Sequence, residues 1–269
     1  MPFSFLRSSF LLFALISLGL AGCATTGVNS GDFNLVSLDE EWQLGQQLER
    51  DIAQQVDVLN DPTLTNYVDR IGQRIVAKTE LRRQPWRFYV VDDDAINAFN
   101  VPGGLVYVNT GLIAAAENTS ELAGVIAHEI AHGVSRHGTE RLTKAQGLSI
   151  GAGLLLANDP GAVSQMAAQI VGGGAIAKFS RDDEREADRL GVRYMAQAGY
   201  NPEGMATLFS KLMADRRRSP SSVEQFFSTH PLTEERIATV RREAKKYPAR
   251  GLTTNEREYA SIRARARRY

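Results

Sequence analysis

The sequence predicts a mostly helical α+β domain that contains a small sheet. Segments with helical capping patterns lie on both sides of two short segments rich in β-branched and aromatic residues, a mixture that is typical of α+β folds. Of the 269 residues, 43% are hydrophobic and 23% are charged, so the chain can bury a core of its own. We therefore expect residues 37–269 to form one domain without internal repeats.

Two helices are predicted to lead the domain. Ser37, with Glu40 three residues later, is a capping-box pattern, which predicts a helix that runs to about residue 59. Pro62, a residue favoured in the first turn of a helix, predicts a second helix that runs to about residue 79.

Two strands and a turn follow these helices. Residues 87–91 and 105–108 are rich in strand-forming side chains, and Pro102-Gly103-Gly104 between them is typical of a turn. We expect a small sheet or hairpin there. Beyond it, the sequence predicts helices over residues 119–137, 181–198, 203–217 and 233–246.

The first residues are typical of a targeting segment. One charge, Arg7, precedes an apolar run over residues 10–20, which is too short for a membrane-spanning helix and predicts a signal peptide. Cys23 follows, and this arrangement resembles the lipobox of bacterial lipoproteins, in which the cysteine becomes the acylated N-terminus. The resemblance implies a signal peptide over residues 1–22, a tether over residues 23–36 and an outer-membrane anchor on the periplasmic face. The alternative is an ordinary signal peptide, with Cys23 incidental.

The charge distribution excludes one class of function. Lys and Arg total 31, as do Asp and Glu, so the chain lacks the positive excess that domain-scale nucleic-acid binding favours. Residues 236–269 nevertheless carry eleven Lys and Arg against three Glu. This basic C-terminal tail is either a solvated surface or a contact with anionic lipid head groups. With one cysteine, neither an internal disulfide nor a cysteine zinc finger can form, so metal ligands must be His, Asp or Glu.

An apolar segment rich in glycine and alanine lies between residues 147 and 177. Asn158-Asp159-Pro160 interrupts it before it reaches membrane-spanning length. We expect a pair of helices or a flap beside the functional site, rather than a transmembrane hairpin.

The strongest chemical signal is His-Glu-Ile-Ala-His at residues 128–132. His128 and His132 are four residues apart, about 40° round a helix, so both imidazoles can bind one zinc ion. Glu129 can then act as the general base that activates a water and later gives the proton to the leaving amine. The alternative is a chance motif in a buried helix, which would bury these polar groups at high cost without a metal or other partners. The motif predicts a metal-dependent hydrolase.

A third metal ligand has to come from elsewhere in the chain. The extended motif with a third histidine fails, because Ser135 and Gly138 occupy the required positions. His137 lies nine residues after His128, about 180° round a continuous helix. We therefore expect a structural or surface role for His137.

Glu184 and Asp188 are the remaining candidates. They are four residues apart on a predicted helix and so share one face, while Glu186 points roughly the opposite way. One of the two can bind zinc while the other accepts a hydrogen bond from a ligand histidine. The spacing leaves open which residue takes which role.

These motifs together resemble a known family. HEIAH is followed some fifty residues later by EREADRLG, residues 97–112 precede it, and Ser-Thr-His-Pro-Leu at residues 228–232 follows. This order is similar to that in the zinc metallopeptidases that include HtpX, BepA, LoiP and the CAAX prenyl endopeptidases. The resemblance covers about residues 38–246, and the organisation looks like a BepA-like catalytic domain carried as an envelope lipoprotein.

The resemblance implies a zincin-type fold with an HExxH active-site helix and one Zn²⁺ per chain. It implies three metal ligands, which are His128, His132 and Glu184. It also implies Glu129 as the catalytic base and Asp188 as the residue that holds a ligand histidine.

Two further features are candidates for roles in the site. His230 is one of four histidines, and its imidazole could bind zinc in place of the attacking water, as a self-inhibitory switch, or stabilise an oxyanion. The alternative is that Thr-His-Pro only begins a helix. The second predicted strand is a candidate edge on which substrate backbone adds as a further strand, or else part of a plain structural hairpin. Its residues are Leu105, Val106, Tyr107 and Val108.

We therefore expect a lipid-anchored zinc endopeptidase on the periplasmic face of the outer membrane, which hydrolyses misfolded or misassembled envelope proteins. The alternative is a zinc-containing periplasmic chaperone or assembly factor with little proteolysis. Glu129 favours cleavage, because a protein that only binds its targets needs no general base. Nucleic acid is not an expected partner, and the sequence specifies no oligomeric state.

Overall fold

A computed structural model describes residues 34–146, 160–174, 177–218 and 220–269. The predicted signal peptide, Cys23 and most of the predicted tether lie outside the described residues, as does part of the segment between residues 147 and 177. The described residues form a mostly helical α+β fold with a three-stranded sheet, which confirms the predicted fold class.

Helices α1 (Leu38–Ile52) and α2 (Pro62–Val76) lead the domain, as the capping patterns predict. The hydroxyl of Ser37 accepts a hydrogen bond from the backbone N–H of Glu40, whose carboxylate accepts one from the N–H of Ser37. α1 ends earlier than the predicted residue 59, because the residues that follow it pair with the sheet, through a bridge at Val58.

The sheet consists of strands β1 (Arg87–Val91), β2 (Ala98–Val101) and β3 (Leu105–Asn109) in the order β1-β3-β2. β1 pairs with β3 in parallel, whereas β2 pairs with β3 antiparallel. The two predicted strands are therefore neighbours but not a hairpin, because β2, which the sequence pattern did not predict, lies between them in the chain. Gly103 and Gly104 form the turn with φ of 90° and 74°, a region that favours glycine.

The expected role of β3 as a substrate edge is wrong. The candidate residues for this role were Leu105, Val106, Tyr107 and Val108. β3 is instead the central strand, so its backbone groups already pair on both sides and cannot add a peptide. A bridge at Val58 partly covers the outer side of β1. Among the described strands, β2 has the open edge.

Helices α3 (Thr110–Ala115), α4 (Thr119–Ser135), α5 (His137–Gln146) and α6 (Pro160–Val171) follow the sheet. α4 carries the HEIAH segment, begins at the predicted residue with Asn118 as its cap, and is buried along its whole length. α6 packs against α1, so this part of the apolar segment is a packed helix.

The predicted helix over residues 119–137 is broken at Arg136. This residue adopts a φ of 60°, in the left-handed region, where α4 ends and α5 begins. For a residue with a Cβ atom, that conformation is less favourable than the right-handed one by about 1–2 kcal/mol. Buried contacts compensate, since the guanidinium donates to Glu41 Oε2 at 2.7 Å and to the backbone oxygen of Val36. The break ties the end of α4 to α1.

The end of the predicted tether belongs to the folded domain. Val36 is buried, and the side chain of Asn34 donates a hydrogen bond to Thr139 Oγ1 on α5 at 2.8 Å. The backbone N–H of Leu35 donates to Thr143 Oγ1 at 3.2 Å. The folded domain therefore begins before residue 37.

Five more helices complete the described chain. They are α7 (Arg181–Gln197), α8 (Glu203–Arg218), α9 (Pro220–Thr229), α10 (Glu234–Ala244) and α11 (Tyr259–Ala266). α7, α8 and α10 match predicted helices to within about two residues at each end, whereas α9 and α11 were not predicted. α4 packs mainly against α7 and α8.

The sheet separates two hydrophobic cores. Val106 and Val108 of β3 lie in the larger core, with α2, α4, α7 and α8. Leu105 and Tyr107 lie in the smaller core, with α1 and α6. Successive side chains of a strand point to opposite faces, so β3 is buried on both sides. α4 runs through the larger core, which explains why most of its residues are uncharged.

The basic C-terminal tail folds back onto the domain. Tyr259 and Ile262 of α11 are buried in the larger core, and the hydroxyl of Tyr259 donates to the backbone oxygen of Ile113 at 3.1 Å. Arg265 forms an ion pair with the buried Asp61 at 2.5 Å, which ties α11 to the start of α2. Within the described ranges, no helix is long and apolar enough to cross a membrane.

We expect Tyr259→Ala to destabilise the domain by about 3–5 kcal/mol, because it removes a buried aromatic ring from the larger core. Tyr259→Phe keeps the ring and loses only the hydroxyl contacts, so it should cost about 1 kcal/mol. Urea unfolding followed by circular dichroism measures both changes. If the two variants unfold at the same urea concentration as the wild type, α11 is not part of the cooperative core.

Candidate metal centre

Two imidazoles of α4 meet at one point inside the larger core. His128 and His132 lie one turn apart, and their Nε2 atoms are 3.1 Å apart. Both side chains are completely buried. Imidazoles buried in this way need polar partners, which the neighbouring helices supply.

α7 brings two carboxylates to these imidazoles. Glu184 Oε1 lies 3.4 Å from His132 Nε2, and Glu184 Oε2 lies 3.5 Å from His128 Nε2. Asp188 Oδ1 lies 3.1 Å from Nδ1 of His128, its other ring nitrogen. The two carboxylates therefore differ in position: Glu184 faces the point where the imidazoles meet, and Asp188 lies behind His128.

α7 approaches α4 closely because a glycine lies between them. A Cβ atom on Gly191 would lie 3.2 Å from the backbone nitrogen of His128 and 2.9 Å from the terminal methyl group of Met205. A larger residue at this position would push the carboxylates away from the imidazoles. The start of α7 is set by a capping box at Ser180.

His230, in the loop after α9, completes the group. Its Nδ1 lies 3.4 Å from His128 Nε2 and 3.0 Å from Glu184 Oε1. Its other nitrogen, Nε2, lies 3.4 Å from Glu129 Oε1. Four side chains each place a possible ligand atom within 4.8 Å of the others, and these are His128, His132, Glu184 and His230.

The spacing of these atoms fits a tetrahedral metal ion. Two ligand atoms at about 2.0–2.1 Å from a tetrahedral zinc ion are about 3.3 Å apart. The separations given above, which join imidazole nitrogens and the Glu184 carboxylate, run from 3.0 to 3.5 Å. Imidazoles with one carboxylate are also a donor set that suits zinc. The side chains present therefore fit a zinc ion.

Burial and charge together set the protonation of the cluster. Burial lowers the pKa of His128, but Asp188 and Glu184 outweigh it and raise the pKa to about 9. Burial raises the pKa of Glu184, but His230 and Arg236 outweigh it and hold the pKa well below its usual value. An ionised carboxylate thus lies beside the imidazoles, an environment that attracts a cation.

Glu129 is hard to explain as a packing residue. It is completely buried, and neither carboxylate oxygen has a hydrogen-bond partner in the described part of the chain. Burial raises its pKa, although His230 and His128 oppose the rise. A buried carboxylate without hydrogen bonds costs on the order of several kcal/mol, and the contact with His230 Nε2 at 3.4 Å offsets part of that cost. Its place beside the cluster therefore indicates a chemical role.

Arg236 is a residue of the site that the sequence pattern did not predict. Its guanidinium donates two hydrogen bonds of 2.8 Å to Asp188 and forms an ion pair of 2.5 Å with Glu184 Oε2. It also donates to the backbone oxygen of Pro231 at 2.9 Å, next to His230. In the sequence, the one feature that could have indicated Arg236 is its position four residues after the Ser-Thr-His-Pro-Leu motif. Arg236 connects both carboxylates of α7 to the loop that carries His230.

His137 is buried at the edge of the cluster, so a surface location for it is wrong. Its Nδ1 lies 2.9 Å from Nδ1 of His132, and its Nε2 lies 3.3 Å from Glu186 Oε2. The predicted position of His137 requires a continuous helix, whereas the break at Arg136 turns His137 back towards α4. Glu186 contacts His137, whereas Glu184 contacts His128 and His132.

The cluster is enclosed by surrounding side chains. Phe179 stacks on the ring of His132, with ring centroids 3.9 Å apart. Beside it lies a narrow cavity, whose lining includes Phe99 and Asn100 of β2 as well as His230. The open edge of β2 therefore borders the same cavity as His230.

A buried HExxH helix, a carboxylate from a second helix and a buried glutamate without hydrogen bonds among the described residues define a site of the metallopeptidase class. Residues 62–244 match the model of peptidase family M48. The chain belongs to that family, which confirms the predicted family and the metal-dependent peptidase class.

The chain is similar to the beta-barrel assembly-enhancing proteases of Yersinia pestis, at 34% identity, and of Escherichia coli strain K12, at 31%. These matches cover 78% and 81% of this chain but 45% and 46% of those proteins. The chain is also 32% identical to the mitochondrial metalloendopeptidase OMA1 of Schizosaccharomyces pombe, over 79% of this chain and 63% of that protein. It thus spans about half the length of the two bacterial relatives.

We expect Arg236→Leu to destabilise the metal-free protein by about 3–5 kcal/mol, because it leaves Asp188 and Glu184 buried without their cation. Urea unfolding in the presence of a chelator measures this loss. The control is Arg241→Leu, which removes an exposed arginine from the same helix and should cost less than about 0.5 kcal/mol. Equal losses in the two variants would mean that the buried ion pairs do not hold the site together.

Proposed function

We propose that this chain is a zinc-dependent endopeptidase of the bacterial cell envelope, which hydrolyses peptide bonds in misfolded or misassembled envelope proteins. The observation that carries the proposal is Glu129, a buried carboxylate without a hydrogen-bond partner among the described residues, beside a cluster of metal-type ligands. A structural glutamate in such a place would need hydrogen bonds to offset its burial. A general base instead needs a carboxylate oxygen that is free to accept a proton from water.

His128, His132 and Glu184 hold the zinc ion in this proposal, one ion per chain. The imidazoles present Nε2 and the glutamate presents its carboxylate to one point. When bound, zinc would polarise the scissile carbonyl and lower the pKa of the attacking water. These ligands come from two helices that pack against each other, so the site is held by the core rather than by loops.

Asp188 holds the first ligand in place. It lies 3.1 Å from His128 Nδ1, so that nitrogen can donate its proton to the carboxylate while Nε2 faces the site. Arg236 holds Asp188 in turn through two hydrogen bonds. The result is a fixed ring orientation and a fixed tautomer for His128.

Glu129 moves the proton. Its carboxylate accepts a proton from the attacking water as the oxygen bonds to the scissile carbon, and then gives that proton to the leaving amine nitrogen as the peptide bond breaks. Burial raises its pKa, and a raised pKa makes a carboxylate a stronger base and a usable acid near neutral pH.

β2 is the proposed docking edge for the substrate backbone. It is the described strand with an open side, and Asn100 borders the cavity that also contacts His230. Asn100 also lies next to Glu129: burial raises the pKa of Glu129, and the backbone of Asn100 is among the groups that oppose this rise. An extended peptide that adds to β2 would therefore present its carbonyls beside the general base.

The sequence and the relatives support an envelope location. Residues 1–22 have the pattern of a signal peptide, and Cys23 follows a lipobox-like segment. Two of the similar proteins are named beta-barrel assembly-enhancing proteases. We propose that Cys23 is acylated, that residues 24–33 tether the domain to the outer membrane, and that unfolded or misassembled envelope proteins are the substrates.

A second candidate function is a zinc-containing periplasmic chaperone or assembly factor with little proteolysis. The enclosure of the cluster favours it, because the ligand side chains are almost fully buried and Phe179 covers His132. Enclosure also fits a latent peptidase in which His230 occupies the position that the attacking water needs. The two candidates differ in whether removal of His230 releases cleavage.

We expect Glu129→Gln to lower the rate of cleavage by about 10²–10⁴-fold while zinc still binds, because the amide keeps the shape of the side chain but cannot take a proton. The measurement is cleavage of an unfolded outer-membrane protein by residues 24–269 with zinc, together with metal analysis of the variant. Glu121→Gln, a buried glutamate on the same helix that contacts Lys211, is the control. Cleavage by Glu129→Gln at the wild-type rate would remove Glu129 from the reaction.

We expect His230→Ala to raise the cleavage rate on the order of tenfold or more, which corresponds to the loss of about 1.4 kcal/mol of blocking interaction. Zinc affinity should fall at the same time, since one imidazole is lost. Initial rates and a chelator competition measure the two effects. A lower rate would instead indicate that His230 stabilises the oxyanion. Unchanged rate and affinity would leave only the role of beginning a helix, and an inactive wild type and variant would favour the chaperone.

A further inference from the structure

The two imidazoles of the zinc site are held in different ways. Asp188 contacts the Nδ1 atom of His128 directly at 3.1 Å. The Nδ1 atom of His132 instead contacts another imidazole, that of His137, at 2.9 Å between the two Nδ1 atoms. The far nitrogen of His137, Nε2, lies 3.3 Å from Glu186 Oε2. The carboxylate that supports His132 thus acts through an intervening histidine.

The geometry allows one arrangement of protons along this chain when His132 binds a metal. Nε2 of His132 faces the cluster, so as a ligand it must be unprotonated, and the ring proton is then on Nδ1. Nδ1 of His137 must then be unprotonated and accept a hydrogen bond from the Nδ1–H of His132, because two N–H groups cannot face each other at 2.9 Å. Neutral His137 then carries its own proton on Nε2, where it donates to Glu186.

An unfavourable backbone conformation at Arg136 brings His137 to this position. On a continuous helix His137 would lie far from His132 Nδ1, and the left-handed conformation of Arg136 is what reverses the direction of the chain. Arg136 is held there by Glu41 on α1. An imidazole that only filled space there would be unfavourable, because its two buried nitrogens need hydrogen bonds. An apolar side chain would fill the same space without that need.

We propose that His137, held by Glu186, is the positioning residue for the zinc ligand His132. It fixes the ring orientation and the tautomer of His132. Two hydrogen bonds, His132 to His137 and His137 to Glu186, link His132 to a carboxylate, which makes the ligand imidazole more basic. The inference rests on the proposed function, since it requires His132 to bind the ion. It adds a role for two residues, His137 and Glu186, that take no direct part in the proposed reaction.

The test is zinc affinity of the full folded domain, residues 24–269, measured by competition with a chromophoric chelator. Changes in partners of a ligand typically weaken metal binding or activity about 10–100-fold, so His137→Phe, which keeps a ring but no acceptor, should weaken zinc binding by that factor. His137→Asn places an amide oxygen near the position of Nδ1 and should stay within about threefold of the wild type. Rescue by asparagine separates hydrogen bonding from packing.

A second comparison tests the link through Glu186. Glu186→Gln should weaken zinc binding less than His137→Phe does, and the double variant should be no weaker than His137→Phe alone, because the carboxylate acts only through the imidazole. Asp182→Asn, which removes an exposed carboxylate from the same helix, is the control and should bind zinc as the wild type does. Thermal unfolding with chelator present checks that all variants fold.

Several results would overturn the inference. They are unchanged zinc affinity in His137→Phe, equal loss in His137→Asn and His137→Phe, and additive losses in the double variant. In each of these cases the wild type still binds zinc and cleaves, so the proposed function stands. A wild type that binds no zinc would overturn the ligand set itself, and the role of His137 with it.

Discussion

The packing of α4 against α7 is the constraint on which the rest of the site depends. It brings two imidazoles and two carboxylates together inside the larger core, where they have almost no contact with solvent. Ionised groups in such a place are stable only if opposite charges and hydrogen bonds replace the lost water. Arg236 does this for Asp188 and for one oxygen of Glu184. The proposed zinc ion would do so for the remaining ligand atoms.

This requirement connects parts of the chain that are far apart in sequence. Arg236 ties α10 and the loop of His230 to α7, and the turn at Arg136 ties the end of α4 to α1. The sheet packs against α4 through β2 and β3, and it brings Asn100 of β2 next to Glu129. The cavity beside His230 is lined by residues of β2, α5, α6 and α9. The proposed mechanism therefore relies on the core itself, and a change that loosens the core would also displace the reacting groups.

Much of the fold and of the candidate site could be predicted because the signals are local. The capping box at Ser37, the cap at Asn118 and the spacing of His128 from His132 depend on neighbouring residues along the chain, and the structure agrees with them. Helices α7, α8 and α10 agree for the same reason. The prediction failed where distant residues compete with local preference: α1 stops where its continuation pairs with the sheet, and β3 is central because β2 covers it.

By itself, the sequence determined the chemical inventory of this protein, namely an HExxH helix, a second helix with two acidic residues on one face, and a family membership that the comparisons confirm. Only the tertiary structure decided which partner each side chain meets. It put Glu184 at the imidazole Nε2 atoms and Asp188 behind His128, it added Arg236, and it turned His137 back onto His132. The physical reason is that helical periodicity sets directions within one element, whereas the pairing of buried charges depends on how separate elements pack.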